Sequence, residues 1–379
     1  MKPLHESISA RKYLTWFEVN LDAVEYNTRE MLRQTGNVAL LAVVKANAYG
    51  MGAVECGKAI LRAGGTGLAV ARYCEAHILR QAGITCPILI FGMLAPDEVD
   101  AAIAEDLTLT LHSSESAELY SQRAHAAGTS VKVHLKVDTG MGRMGVFAHQ
   151  AGDLARQALS LGGIEIDGVY THFAMVDDVP NDPFLPEQLS YFAEALAGVR
   201  AAGVEPRWIH AANSAASVGY PQARFNMTRA GSTLLGIRPF YYAPFPPEFR
   251  RAQTWKCQLA SCREMPEGWT IGYGRKYSAH AGEWIGVLPV GYADGFRRTG
   301  SPNTVLVNGR RLPIVGSVCA DMCMVSLPEY TPPGTEVVLM GEQGAEHIWV
   351  EDLADRWQTS MADVTANVNL RVPRVYVRE

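Results

Sequence analysis

The stretch "LAVVKANAYGMG", residues 41–52, ends an apolar run on Lys45 and passes at once into turn-forming residues. Lysine is among the side chains least often fully buried, and an unpaired ammonium at the edge of a core costs several kcal/mol on the order of effective burial penalties. Lys45 is therefore either a stem that snorkels into water or a reactive amine at the mouth of a site. Other chemistry-bearing residues close apolar runs in the same manner: Arg143 in "VDTGMGRMG", His172 in "VYTHFA", Ser214 in "HAANSAAS", and Arg229 just ahead of Gly231 and Ser232 in "RAGS". Taken singly, each has a plain structural reading. Arg143 reads as a solvated residue of a glycine turn, His172 as a hydrogen-bonded structural histidine and Ser214 as a helix N-cap. Tyr273 in "TIGYGRKYSA" reads as an anchored core tyrosine, and Cys319 and Cys323 as inert packing thiols. Their joint placement points further: an amine nucleophile, two arginines, and glycine turns and helix starts whose N–H groups suit a phosphate.

The elements that position these residues are short apolar or β-branched runs at 38–44, 67–71, 87–91, 107–111, 131–137, 166–172, 208–211 and 228–230. Between them lie helical patterns such as 53–64 and 73–83, each with apolar residues at helical spacing and a closing glycine, and the longer 185–203. Strand alternating with helix predicts a parallel sheet, and eight repeats predict an α/β fold with an N-terminal (β/α)8 TIM-type barrel. In such a barrel the chemistry sits where strands end at the C-terminal face, which is where Lys45, Arg143, His172, Ser214 and Arg229 fall. The fifth run alternates sharply, with Lys132, His134, Lys136 and Asp138 opposite its apolar face. Polar side chains inside a barrel call for a functional reason. Beyond "PFYYAPFPPEFR" the pattern turns β-rich, with Asn308-Gly309 a hairpin signal, so residues 1–245 are assigned to the barrel and 246–379 to a mostly-β domain. Residues 1–20, with "YLTWFEVNL" at 13–21, are expected to pair with that second domain. A lysine beside a phosphate cup is what pyridoxal 5'-phosphate requires, the amine forming a Schiff base and the cup holding the phosphate.

Composition narrows the class. The 379 residues are 48% hydrophobic and 19% charged, as a well-cored globular protein requires. A net charge of -5 gives no basic footprint for nucleic acid. Seven scattered cysteines form no CxxC pair and no zinc spacing, so no metal is expected. No run approaches the roughly 18 apolar residues of a membrane span, and the first residues lack an apolar signal core, so a cytoplasmic protein without membrane partners is expected.

Eight segments, "AVVKANAYGMG", "HLKVDTGMGRMG", "GVYTHFA", "HAANSAA", "IGYGRKYSA", "LPVGYADG", "PIVGSVCADMCMV" and "NLRVPRVY", span residues 42–376 in order, and in them the chain resembles the alanine racemase family of barrel-type pyridoxal-phosphate enzymes. The resemblance implies an isomerase interconverting L- and D-alanine by two bases in a homodimer with composite active sites. Lys45 is similar to the Schiff-base lysine and first acid/base. Tyr273 is similar to the acid/base of the opposite face, which in the family reaches the other subunit's site. Tyr49, Ser214, Gly231 and Ser232 resemble the phosphate cup, and Arg229, oriented by His172, resembles the arginine at the pyridine nitrogen. Arg143 and the backbone of Ala320 are implied at the substrate carboxylate. Lys136, where the family often carries a carbamylated lysine, is implied as a support, together with Asp321, Tyr292 and Leu370. Two positions depart from the pattern: Leu370 stands where the family has a tyrosine of the cup, and Ala320 where it has methionine. Both open the prospect of serine or a larger amino acid as substrate. The rival readings are a barrel-type amino-acid decarboxylase, which shares a Cys-x-Asp element, and a non-catalytic pyridoxal-phosphate carrier, which would be a barrel alone.

Overall fold

Eight parallel strands close on themselves in a computed structural model that describes residues 13–299 and 303–378. Numbered within the barrel, they are β1 (Ala39–Val43), β2 (Gly67–Val70), β3 (Ile88–Ile90), β4 (Thr108–Leu111), β5 (Val131–Asp138), β6 (Ile164–Tyr170), β7 (Trp208–His210) and β8 (Met227–Thr228). Each pairs in parallel with the next, and β8 pairs with β1 to complete the ring. Strands covered by helices outside and packed side chains inside are buried on both faces, which is why they read as continuous apolar runs. The helix Ala53–Arg62 shows the outer layer's logic, burying Ala53, Cys56, Ala59 and Ile60 at helical spacing. The helices predicted near 73–83 and 185–203 are Tyr73–Gln81 and Leu185–Ala201. The β5–β6 ladder holds one irregularity. Val133 pairs with Ile166 and His134 with Gly168, so Asp167 is an extra residue between them. Such a bulge re-aims a side chain.

The chain divides into two compact units. One comprises Ala23–Ala48 and Ala53–Arg250; the other comprises the described residues up to Asp22, Tyr49–Gly52, and Arg251 onward. The second unit is built on a ten-stranded sheet. Within it Thr15–Asn20 pairs antiparallel with Gln253–Gln258 and parallel with Arg374–Val377. Residues 1–12 of the expected pairing segment lie outside the described residues. "WKCQLASCREM" forms two strands, Gln253–Gln258 and Ser261–Glu264, and Asn308-Gly309 turns the hairpin between Thr304–Val307 and Arg310–Val315. Both turn residues have positive φ, 50° and 73°, as a type I′ turn demands. The core of this unit is aromatic. Trp16, Phe17, Trp255 and Phe296 are fully buried, with Phe296 edge-on to both Trp255 and Trp357.

Candidate active site

Lys45 follows β1 at the C-terminal end of the barrel strands and begins a turn of unusual hand. Ala46, Asn47, Ala48 and Tyr49 all have φ near +52 to +55°, a left-handed stretch that costs L-residues roughly 1–2 kcal/mol each. The turn is tied at several points. Ala46 N–H donates to Glu75 Oε1, Ala48 N–H donates to Val44 O at 2.8 Å, and Asn47 Oδ1 accepts from Ala53 N–H at 2.9 Å. Burial, then the charge of Arg143, hold the Lys45 amine below its ordinary basicity, with Glu75 acting in the other direction.

Arg229, just beyond β8, is buried and fully engaged. Its Nη1 donates to His210 Nδ1 at 3.0 Å, while its Nη2 donates to Thr171 O, Ala211 O and His172 Nδ1 at 2.7, 2.9 and 3.2 Å. Its guanidinium carbon lies 5.3 Å from the centre of the Tyr170 ring, and Lys136 Nζ approaches the same ring at 5.4 Å. Burial lowers Arg229 to about 10, so it stays charged at neutral pH. His172 and His210 are both pushed well below the usual histidine range, mainly by burial and then by neighbouring cations and, for His210, by His134. Lys136 is held down to about 7 by burial and by Arg229, with Asp138 opposing, and its Nζ donates to Val137 O at 2.6 Å. Asp138 shapes the Arg143 loop: its Oδ1 accepts from the backbone N–H of Gly140, Met141 and Gly142, and its Oδ2 from that of Arg143.

At the third cluster Ser214 Oγ accepts from Gly231 N–H at 3.0 Å and from Ser232 Oγ at 3.2 Å. Ser214 is not the helix N-cap. That place belongs to Asn213, whose side chain accepts from Ala216 N–H, and Ser214 is left in the first turn with its hydroxyl turned to the 231–232 segment.

In the other unit Tyr273 opens a short 3-10 turn, Tyr273–Arg275, and is 70% exposed rather than anchored in a core. It shares a cavity of about 370 Å³ with Cys319, Ala320, Asp321 and Met322. The 319–321 loop is held by Tyr292 N–H and Ala293 N–H, which donate to Cys319 O and Ala320 O, so Tyr292 acts on this loop through its backbone. Arg371 joins Asp294 and Asp321 at 2.7 and 2.6 Å, beside Leu370, which is 78% exposed. Cys323 is buried and its thiol is pushed well up by burial.

Residues 19–239 match the N-terminal domain of alanine racemase, and residues 252–376 its C-terminal domain. The alanine racemase of Symbiobacterium thermophilum is 40% identical over 365 residues, which are 96% of this chain and 97% of that one. The crystal structure of alanine racemase from Bacillus anthracis with bound L-Ala-P has a TM-score of 0.91 at 36% identity, covering 97% of this chain and 96% of that one. The chain belongs to the alanine racemase family. It is accordingly an isomerase of the amino-acid racemase class. Another solved relative, the histidine racemase of Leuconostoc mesenteroides subsp. sake, has a TM-score of 0.90 at 28% identity, covering 97% and 99% of the two chains.

Placed in the alanine racemase frame, the barrel unit brings together Arg229, His172 and Lys136, and separately Ser214, Gly231 and Ser232. The second unit brings Tyr273 to Ala320 and Asp321. Sequence reasoning passed over Tyr170, His210 and Asp138 as roles of their own. Their signal was present, a polar residue at each inward end of β6, β7 and β5, but nothing in their type separates them from core. Among the described residues no cluster of His, Cys, Asp and Glu suits a metal, and no helix is long and apolar enough to cross a membrane. The donor set fits pyridoxal 5'-phosphate: an amine of lowered basicity, paired serine hydroxyls beside a glycine, and a fixed guanidinium.

Proposed function

We propose that the protein interconverts the L and D forms of a small amino acid, alanine first, with pyridoxal 5'-phosphate held in the barrel. The observation that supports this most is Lys45 itself, an amine of lowered basicity in a left-handed turn, in a chain whose family racemises alanine. Lys45 would hold the aldehyde of the cofactor. Ser214 and Ser232, with Gly231 and Tyr49, would hold its phosphate, and Arg229, oriented by His172, its ring nitrogen. When bound, the cofactor draws electrons from the substrate α-carbon and acidifies its C–H bond. An arginine cannot accept a hydrogen bond, so Arg229 disfavours a proton on that nitrogen and restrains side reactions.

Inverting a carbon needs a proton removed on one face and returned on the other. We assign these roles to Lys45 and Tyr273, and the substrate carboxylate to Arg143 and the Ala320 backbone N–H. The exposure of Tyr273 suits a phenol that completes the site of a second copy, hence a homodimer. Seven cysteines with no disulfide among the described residues suit a reducing, cytoplasmic setting. Lys136 is a buried amine already close to neutral, the form that adds carbon dioxide. The new N–C bond gives a carbamate with loss of one proton, replacing a cation by an anion beside Arg229 and Arg143. Substrate range is set in part at position 370, where an exposed leucine replaces a hydroxyl-bearing ring, and serine is the first candidate beyond alanine. A relative named for histidine shows how far the same fold is put to use. The test incubates the full chain and pyridoxal phosphate with L-alanine or L-serine in deuterium oxide. Decay of optical rotation with α-deuterium uptake is expected, without release of carbon dioxide; no uptake from either amino acid would overturn the reading.

A further inference from the structure

The barrel holds a second polar feature away from the strand ends that carry Lys45 and Arg229. A cavity of about 230 Å³ is lined by Lys132, His134, Glu165, Asp167 and Arg207 among others, residues from the N-terminal halves of β5 and β6 and the start of β7. His134 forms part of its wall, and from there a line of polar contacts leads to Arg229. His134 Nε2 lies 3.9 Å from Asp167 Oδ2, His134 Nδ1 lies 2.8 Å from His210 Nε2, and His210 Nδ1 lies 3.0 Å from Arg229 Nη1.

The proton positions along this line have one solution. Arginine only donates, so His210 Nδ1 accepts. A neutral imidazole carries a single N–H, which places the His210 proton on Nε2, and that N–H must donate to His134 Nδ1. His134 then carries its own proton on Nε2, facing the Asp167 carboxylate. Burial keeps both rings neutral: His210 is held well below the usual histidine range and His134 is lowered, although Asp167 opposes the shift at His134. The rings are also seated sterically. Tyr170 stacks on His210 at 4.9 Å and 4°, and a Cβ at residue 168 would come within 2.7 Å of the His134 ring, so that seat exists only because Gly168 is glycine. Asp167 is the bulged residue of β6, so the chain spends an irregularity at the position that faces His134.

We propose that His134 and Asp167 are positioning residues for Arg229: His134 accepts the Nε2–H of His210 from the cavity side, Asp167 faces the proton His134 keeps, and the line holds the guanidinium in register. At 3.9 Å the last link is electrostatic rather than a formed hydrogen bond, and the carboxylate favours by its charge the His134 tautomer that His210 already requires. The consequence for turnover rests on the assignment of Arg229 to the cofactor nitrogen; the tautomers do not.

The test uses the full chain labelled with 15N-histidine, with and without pyridoxal phosphate, and reads ring nitrogens by two-bond proton–nitrogen correlation. Both His134 and His210 should be neutral Nε2–H tautomers at about pH 8, with or without the cofactor. An Nδ1–H or doubly protonated ring at either position would overturn the proposal, whatever becomes of the racemase reading. His134→Phe removes the acceptor for His210, whereas His134→Gln can return one. The Phe variant is expected to lose at least about tenfold in kcat with little change in KM and to shift the absorbance of the bound cofactor, and Gln to recover most of both. Equal losses in the two variants would show a merely structural histidine and defeat the proposal. Should the Phe variant fail to fold, Asp167→Ala serves. His134 should keep its Nε2–H tautomer there while its Nε2 resonance shifts and kcat falls in part, and an unchanged resonance with unchanged kcat counts against the proposal.

Discussion

Tyr273 and Leu370 are the two exposed residues on which the proposed chemistry and substrate range turn. A phenol left mostly in solvent contributes little to its own unit's core, so replacing it tests function without unfolding risk. Tyr273→Phe should lower alanine racemisation about 10²- to 10⁴-fold, the usual worth of a positioned acid or base. Deuterium exchange at the α-carbon should survive for one enantiomer, the one whose proton faces Lys45. Loss of exchange from both enantiomers alike would rule out a division of labour between two bases. At position 370 the change runs the other way: Leu370→Tyr adds a ring and hydroxyl and should narrow a panel of alanine, serine and larger amino acids toward alanine. A panel of kcat/KM values that keeps its ratios would show that the leucine has no part in selection. Both stood out in the sequence through the family resemblance, Tyr273 because its segment matches the family's pattern and Leu370 because it departs from it. His210 and Tyr170 did not, since a buried polar ring looks like any core aromatic until its partners are known.

At the scale of elements the strands were legible because burial on both faces leaves mostly apolar or β-branched runs, even where β8 is only Met227–Thr228. The left-handed turn after β1 was not. Alanine and tyrosine have no liking for positive φ, and only Asn47 tolerates it well, so the conformation is imposed by bonds from distant residues. The same reason hid the cap at Asn213, because two adjacent residues of "NSAA" could each have served. Asn47 carries both functions of the turn, its tolerance of positive φ and its acceptor for Ala53 N–H at the start of a helix. Asn47→Ala is therefore expected to cost about 1–2 kcal/mol of stability by urea unfolding. Because Lys45 heads the same turn, cofactor binding should weaken with it. Stability within a few tenths of a kcal/mol of the parent would mean that the turn is held elsewhere.

For the molecule as a whole, the net charge of -5 conceals a barrel mouth of the opposite sign. Lys136, Arg229, Lys45 and Arg143 act on one another there, and the neighbouring histidines are kept neutral. Such a field suits a phosphate and a carboxylate, and it penalises the folded state when they are absent. Lys136 titrates at about 7 in the folded chain against an ordinary 10.5, so the unfolded chain binds more protons between those values and stability rises with pH across that window. Below about pH 7 both states are protonated at this residue and the penalty is complete. Lys136→Met removes the group and should flatten the rise, leaving the variant more stable than the parent at pH 6. Bicarbonate should raise the stability of the parent alone, most from about pH 7 upward: a carbamate forms only on the neutral amine that the fold provides, and anything added to the native state alone stabilises it. Urea midpoints from pH 6 to 9, with and without bicarbonate, decide the matter. Parallel profiles for the two proteins would mean that the charge at position 136 is already neutralised by another route.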